Sequence, residues 1–260
     1  MADLPALLPE EQQAFHQEYA KYYQTKRGNF LQSLKVFSGV WDCLQLLNDI
    51  WQREMSDLQS LNDQYHLLPK TLFTAAHARL LNAIELSFSC CIGDAYSILR
   101  DGIESISHAY KLFHDPNLAA VWSEKHKGEP EKKAYDQVFT YNKKRNLYPD
   151  KDGLNHLFTY YGQFCELATH SSVTSLGNSF KDTSTSGIVR WEYHYFETDQ
   201  TKLAIFLFTL LQVSTHMEGA FFGCFETRLN LDPGLVDMRS RFKRDVEAQR
   251  QKLKAAYKLP

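Results

Sequence analysis

The chain has 260 residues, with 29 basic and 31 acidic side chains and a formal net charge of −2. Charge so evenly balanced gives no global argument for a polyanion or an acidic membrane surface as partner. Apolar residues make up 43% of the chain, with 17 Phe, 14 Tyr and 4 Trp, enough for a large core built substantially on aromatic packing. The length suits a single helical domain over residues 1–260, or an N-terminal helical hairpin (residues 9–65) packed on a core bundle (residues 70–258).

Pro9, Glu10 and Glu11 suit the first turn of a helix, with acids at its positive end, and Gly28 suits its close. Phe30, Leu34, Phe37, Trp41, Leu44, Leu47, Trp51, Met55 and Leu58 recur at spacings of three and four. This pattern predicts one helix of roughly 30 residues with a continuous apolar face. A turn through residues 61–69 leads to a third helical stretch over 70–114, whose apolar seam includes Phe88, Ile92, Leu99, Ile103 and Tyr110. The two long seams are expected to pack antiparallel and to bury Leu44, Trp51, Leu99 and Ile103. Gly93 and Gly102 mark a bend or a close helix contact in the third stretch.

Residues 125–151 are polar, with eight basic and four acidic side chains and Tyr135, Phe139, Tyr141 and Tyr148 interleaved. A short helix is expected over 131–144 and another over 152–169. Residues 171–187 include nine Ser or Thr and do not read as helix. Residues 188–196 alternate with period two and are rich in β-formers, which predicts a strand. Its partner is expected in 172–180, giving a small β-hairpin insertion at about 172–197. Thr198 or Asp199 can cap a strongly apolar helix over 200–228. The apolar run at 203–213 is shorter than a membrane span, and Gln212 within it and His216 and Glu218 beyond it are costly in lipid, so it is expected to be a buried core helix. Asp232-Pro233-Gly234 opens a last helix to about Tyr257, with eight basic and two acidic residues between 239 and 258. The fold class is therefore all-α, a multi-helix bundle of seven to nine helices with a small β-hairpin insertion.

Cys43, Cys90, Cys91, Cys165 and Cys224 are odd in number and irregularly spaced, and no CxxC occurs. They read as reduced thiols of a cytoplasmic, soluble protein, and no secretory signal is expected at the N-terminus. No P-loop, GxGxxG, GxSxG or HExxH motif is present, so no cofactor and no metal are expected.

Arg100, Glu104 and His108 fall at i, i+4 and i+8 on one helical stripe. They could line a cleft, His108 as an acid–base group and Arg100 as an anion clamp; the same spacing also describes a solvated face of ion pairs. Glu166 and His170 form a second i,i+4 pair where a helix runs into the hydroxyl-rich loop, so His170 is either a loop-held functional group or a partner of the helix dipole. Gln212, His216, Gly219 and Gly223 share one face of the apolar helix, which suggests a buried, hydrogen-bonded histidine at a close contact. The basic stretches at 125–151 and 239–258 are either solvated faces or, where aromatics interleave, a surface for single-stranded nucleic acid.

The segment Ala95-Tyr96-Ser97-Ile98-Leu99-Arg100-Asp101-Gly102-Ile103-Glu104, followed by Leu167-Ala168-Thr169-His170-Ser171-Ser172 and a last apolar helix, resembles a family of bacterial helical proteins grouped with HEPN domains. That family carries a Leu-Arg-x-x-x-Glu helix followed by a Ser-x-x-x-His-Pro segment. The resemblance spans roughly residues 70–225. It implies a helical fold, and a module that binds a protein or RNA partner in bacterial stress or defence; a homodimer is a further arrangement open to the chain. It also implies the alternative of a metal-independent ribonuclease, with Arg100, Glu104, His108 and His170 as candidate catalytic residues. Active HEPN nucleases place His after a gap of four to six residues from Arg, whereas His108 follows Arg100 after seven intervening residues. The resemblance therefore implies the fold more than the activity.

Overall fold

The computed structural model describes residues 16–61, 63–140, 147–169, 180–182, 184–185 and 191–258. Among them nine α-helices build an all-α bundle: α1 (Gln17–Val36), α2 (Ser38–Asp57), α3 (Gln64–Phe88), α4 (Ile92–His114), α5 (Leu118–Glu124), α6 (Glu129–Phe139), α7 (Leu154–Phe164), α8 (Gln200–Phe225) and α9 (Pro233–Tyr257).

The three helical stretches expected up to residue 114 become four helices, and Gly28, expected to close the first, lies inside α1. The stretch expected over 30–58 breaks at Phe37, which leaves helical geometry (φ −114°, ψ 33°) and separates α1 from α2. The third stretch breaks at Ser89–Cys91, where Cys90 takes a left-handed conformation (φ 64°). Hydrophobic spacing continues smoothly through both points, because the register of an apolar stripe survives a one-turn interruption. Gly93 and Gly102 do not make the break; both lie within α4. α3 also starts earlier than expected. Asp63 accepts the Tyr65 N–H and nucleates a helix that runs through Pro69.

The main antiparallel pair is α3 with α4, joined by that tight turn. α2 lies instead against α8 and α9. Leu44, Trp51, Leu99 and Ile103 are all buried, as the seams require, but by different neighbours. Trp51, for instance, stacks on Phe221 of α8 at 5.8 Å between ring centroids.

α8 is the axis of the bundle and touches α2, α3, α4, α7 and α9. Asp199 caps it, accepting from the N–H groups of Thr201 and Lys202. By length and composition it could cross a membrane; 61% of its most apolar stretch is buried within the bundle. α9 is capped by Asp232 with Pro233 in its first turn, as its sequence predicts.

Between α7 and α8, Phe180–Asp182 pairs antiparallel with Trp191–Tyr193, with Lys181 opposite Glu192. The strand expected over 188–196 is described only at these three residues and in the irregular run 194–199. Of its expected partner, residues 172–179 lie outside the described residues. Three pairs of residues add no sheet layer, and the class remains all-α. Cys43, Cys90, Cys91 and Cys224 are buried thiols.

Candidate functional site

The stripe Arg100, Glu104 and His108 runs along α4 on the side facing α6 and α7. α6 lays Tyr135 and Phe139 across His108, with ring centroids 6.1 and 5.1 Å from the imidazole. Tyr161 comes from α7, and Tyr148 from the chain just before it. Together these groups enclose a cavity of about 180 Å³ with Glu104, His108, Tyr135, Phe139, Tyr148 and Tyr161 in its wall.

His108 is 5% exposed. The Trp122 indole, which can only donate, points its N–H at His108 Nδ1 at 3.4 Å. In the neutral ring the proton therefore sits on Nε2, which is buried and completes no hydrogen bond. Burial pushes the His108 pKa down to about 4; the nearby Phe139 carbonyl opposes that shift, and the Lys125 charge reinforces it.

Glu104 is displaced the other way. Burial raises its pKa, Asp101 adds to the rise, and Arg100, Lys125 and a hydrogen bond with Tyr161 partly restore the anion. The hydroxyls of Tyr148 and Tyr161 are likewise raised, by burial first and then by neighbouring groups including Glu104. At the edge, Lys125 Nζ lies 4.7 Å from the Tyr135 ring centroid and 5.6 Å from that of Trp122. The site thus offers a neutral imidazole, a carboxyl whose proton is retained more readily than usual, phenolic hydroxyls, and a cation held on aromatic faces.

Arg100 is less engaged with this cavity than its spacing suggests. Its guanidinium donates to the adjacent Asp101 carboxylate, from Nε at 3.1 Å and Nη2 at 2.6 Å, and Glu104 takes only its field. His170 lies outside the described residues. The chain leading toward it leaves α7 through a π-helical turn, Cys165–Thr169, packed on α4.

His216 is found at a close contact. The contact is made by the 152–153 turn, in which Asp152 (φ 51°) and Gly153 (φ 81°) are both left-handed. A Cβ on Gly153 would lie 2.8 Å from His216 Nδ1. The His216 ring stacks on His156 at 4.6 Å, and burial with that neighbour pushes its pKa down to about 4. Gln212 accepts from the Tyr160 hydroxyl at 2.9 Å. This face is packing rather than a cleft.

A larger groove of about 740 Å³ runs between α1 and residues 193–203. Two of its three carboxylates are occupied locally: Glu197 accepts the Asp199 N–H, and Asp199 caps α8. The displaced groups in its wall, Tyr22 and Cys90, are both pushed up by burial, so they do not form a pair shifted in opposite senses as Glu104 and His108 do, and the smaller cavity is the better candidate.

Sequence reasoning singled out Tyr135, Phe139 and Tyr148 as aromatics among basic residues but did not join them to the α4 stripe, and it missed Tyr161, because these groups converge from segments far from α4. It also missed Glu54, whose position between Trp51 and Leu58 on an apolar face was the available signal. Among the described residues no group of three or more His, Cys, Asp or Glu side chains is placed to hold a metal ion. Comparison of the chain with protein-family models, with curated proteins and with solved structures gives no match.

Proposed function

We propose that the chain is a HEPN-like helical binding module of the cytoplasm that takes up single-stranded RNA, seating one base in the cavity between α4, α6 and α7. One observation carries this reading: the basic, aromatic-rich stretch 125–151 supplies the cavity's outer wall, setting Tyr135, Phe139 and Tyr148 against Glu104 and His108. Aromatic faces stack bases of any sequence, and flanking cations follow the phosphates. Glu104 can accept an N–H, and His108 Nε2–H can donate to a ring nitrogen or carbonyl. Lys125, bound to the outer face of Tyr135, is placed for a phosphate. The same proposal treats residues 172–197 as a β-hairpin insertion, supported by the pairing of Phe180–Asp182 with Trp191–Tyr193.

The test is fluorescence anisotropy with a short labelled single-stranded RNA at two salt concentrations. Tyr135→Ala is expected to weaken binding by about tenfold to a hundredfold, the worth of one stacked base. Lys125→Ala should weaken it less and flatten the salt dependence. Salt-insensitive binding, or no binding, would defeat the reading in favour of a protein partner.

A second reading, a metal-independent ribonuclease, draws on Glu104, whose raised pKa suits proton transfer. Incubating the same RNA with excess EDTA separates the two. Cleavage lost in Glu104→Gln supports catalysis, whereas intact RNA with binding preserved supports the module.

A further inference from the structure

Glu54 of α2, Glu218 of α8 and Arg239 of α9 meet where these three helices pack. Arg239 Nη1 donates to both Glu54 Oε1 and Glu218 Oε1, and Nη2 lies 3.5 Å from Glu218 Oε2. The guanidinium carbon sits 3.6 Å from the Phe222 ring centroid, so its open face is covered. Glu54 is 0% exposed and Glu218 5% exposed. Glu54 Oε2 has no hydrogen-bond partner.

The charges do not balance. Two carboxylates face one guanidinium. The groups acting on the pair are Arg239 and Lys243 from α9 and each carboxyl on the other. An uncompensated anion in so dry a place costs several kcal/mol, and the usual relief is to keep a proton. Two acids that share a site cannot both ionise easily.

Apart from this cluster α9 is held by apolar contacts, among them half-buried Met238 and Val246 and the stack of Tyr257 on Phe37. Of its 25 residues only Leu235, Phe242 and Leu253 are buried. A further tie, Arg53 to Asp232, lies at its N-terminus, where both side chains are about a third exposed.

We infer that Glu54, Glu218 and Arg239 form a proton-loaded latch: α9 is docked while one proton is shared by the two carboxyls, and loss of that proton loosens α9 from the body. The direction of the dependence follows from linkage. Burial first, and then the Glu218 charge, push the Glu54 pKa up to about 8, and burial raises Glu218 as well. A folded-state pKa above the unfolded one gives a contribution fully present below the ordinary carboxylate range, and lost as pH rises through the folded value. The latch therefore holds at neutral and acid pH and weakens in mild alkali.

Hydrogen exchange resolved by segment tests this on the full chain, with rates corrected for the intrinsic pH effect. Between about pH 7 and about pH 9, protection of α9 amides should fall about tenfold or more relative to those of α4. Glu54→Gln keeps the neutral, hydrogen-bonding shape and should abolish that fall. Glu218→Gln should do the same, and serves if the first variant does not fold. A flat profile in the wild type, loss of protection in α4 and α9 together, or an unchanged slope in the folded variants would overturn the latch.

Discussion

The Tyr110 hydroxyl donates to Asp152 Oδ2 at 2.8 Å, fixing the carboxylate of a residue in left-handed geometry against the glycine face of α8. A Cβ on Gly223 would lie 2.6 Å from the Asp152 carboxyl carbon, whereas Gly162 has nothing within 4 Å of the corresponding position. The two glycines are both helical and should respond oppositely to alanine.

Gly223→Ala is expected to destabilise the fold by about 1–3 kcal/mol, since the Asp152 carboxylate is held by Tyr110 and cannot simply swing away. Gly162→Ala should stabilise it by up to about 1 kcal/mol, the helix preference of alanine over glycine. Denaturant melts of both variants check the signs. In an Asp152→Ala background the cost of Gly223→Ala should largely vanish, and a cost that persisted would show that the clash lies elsewhere.

His108 should make the protein acid-sensitive. Its folded pKa of about 4 lies below the unfolded value near 6.5. A depressed pKa gives a contribution present above the unfolded value and lost as pH falls through the folded one. For so deeply buried a ring the loss amounts to about 3 kcal/mol between these limits. His108→Gln should show a shallower fall of stability on acidification than the wild type. A ring resonance of His108 that titrated near neutrality would contradict the buried, neutral state.

Arg100 should matter little to stability. Its ion pair is with its neighbour Asp101, whose side chain is 48% exposed, and pairs of that kind contribute up to about 1 kcal/mol. Arg100→Ala is expected to melt within that margin of the wild type. A larger loss would mean that the guanidinium supports the Glu104–Tyr161 contact, and the variant would then change the cavity as well.

Much of this architecture is local information. Period-three-and-four spacing marks the faces that α2 and α4 bury, a continuous apolar run marks α8, and Asp199, Asp232 and Pro233 announce helix starts, because capping uses side chains next to the helix they cap. The stripe of Arg100, Glu104 and His108 is equally legible, since one helix places residues four apart on one side. The glycines of α8 signal that something approaches closely, though not that it is the turn at Asp152 and Gly153.

What the tertiary structure alone decided is which faces meet. The interruptions at Phe37 and at Ser89–Cys91 leave the hydrophobic rhythm intact, so only packing shows that α2 turns to α8 and α9 while α3 and α4 pair with each other. Glu104 and His108 become a cavity only because Tyr135, Tyr148 and Tyr161 arrive from other segments. Glu54 finds Arg239 across 185 residues of chain. Sequence periodicity records how one element divides its own surface between core and solvent, whereas the burial and charge of its neighbours, which set the chemistry of these groups, exist only once distant elements are packed together.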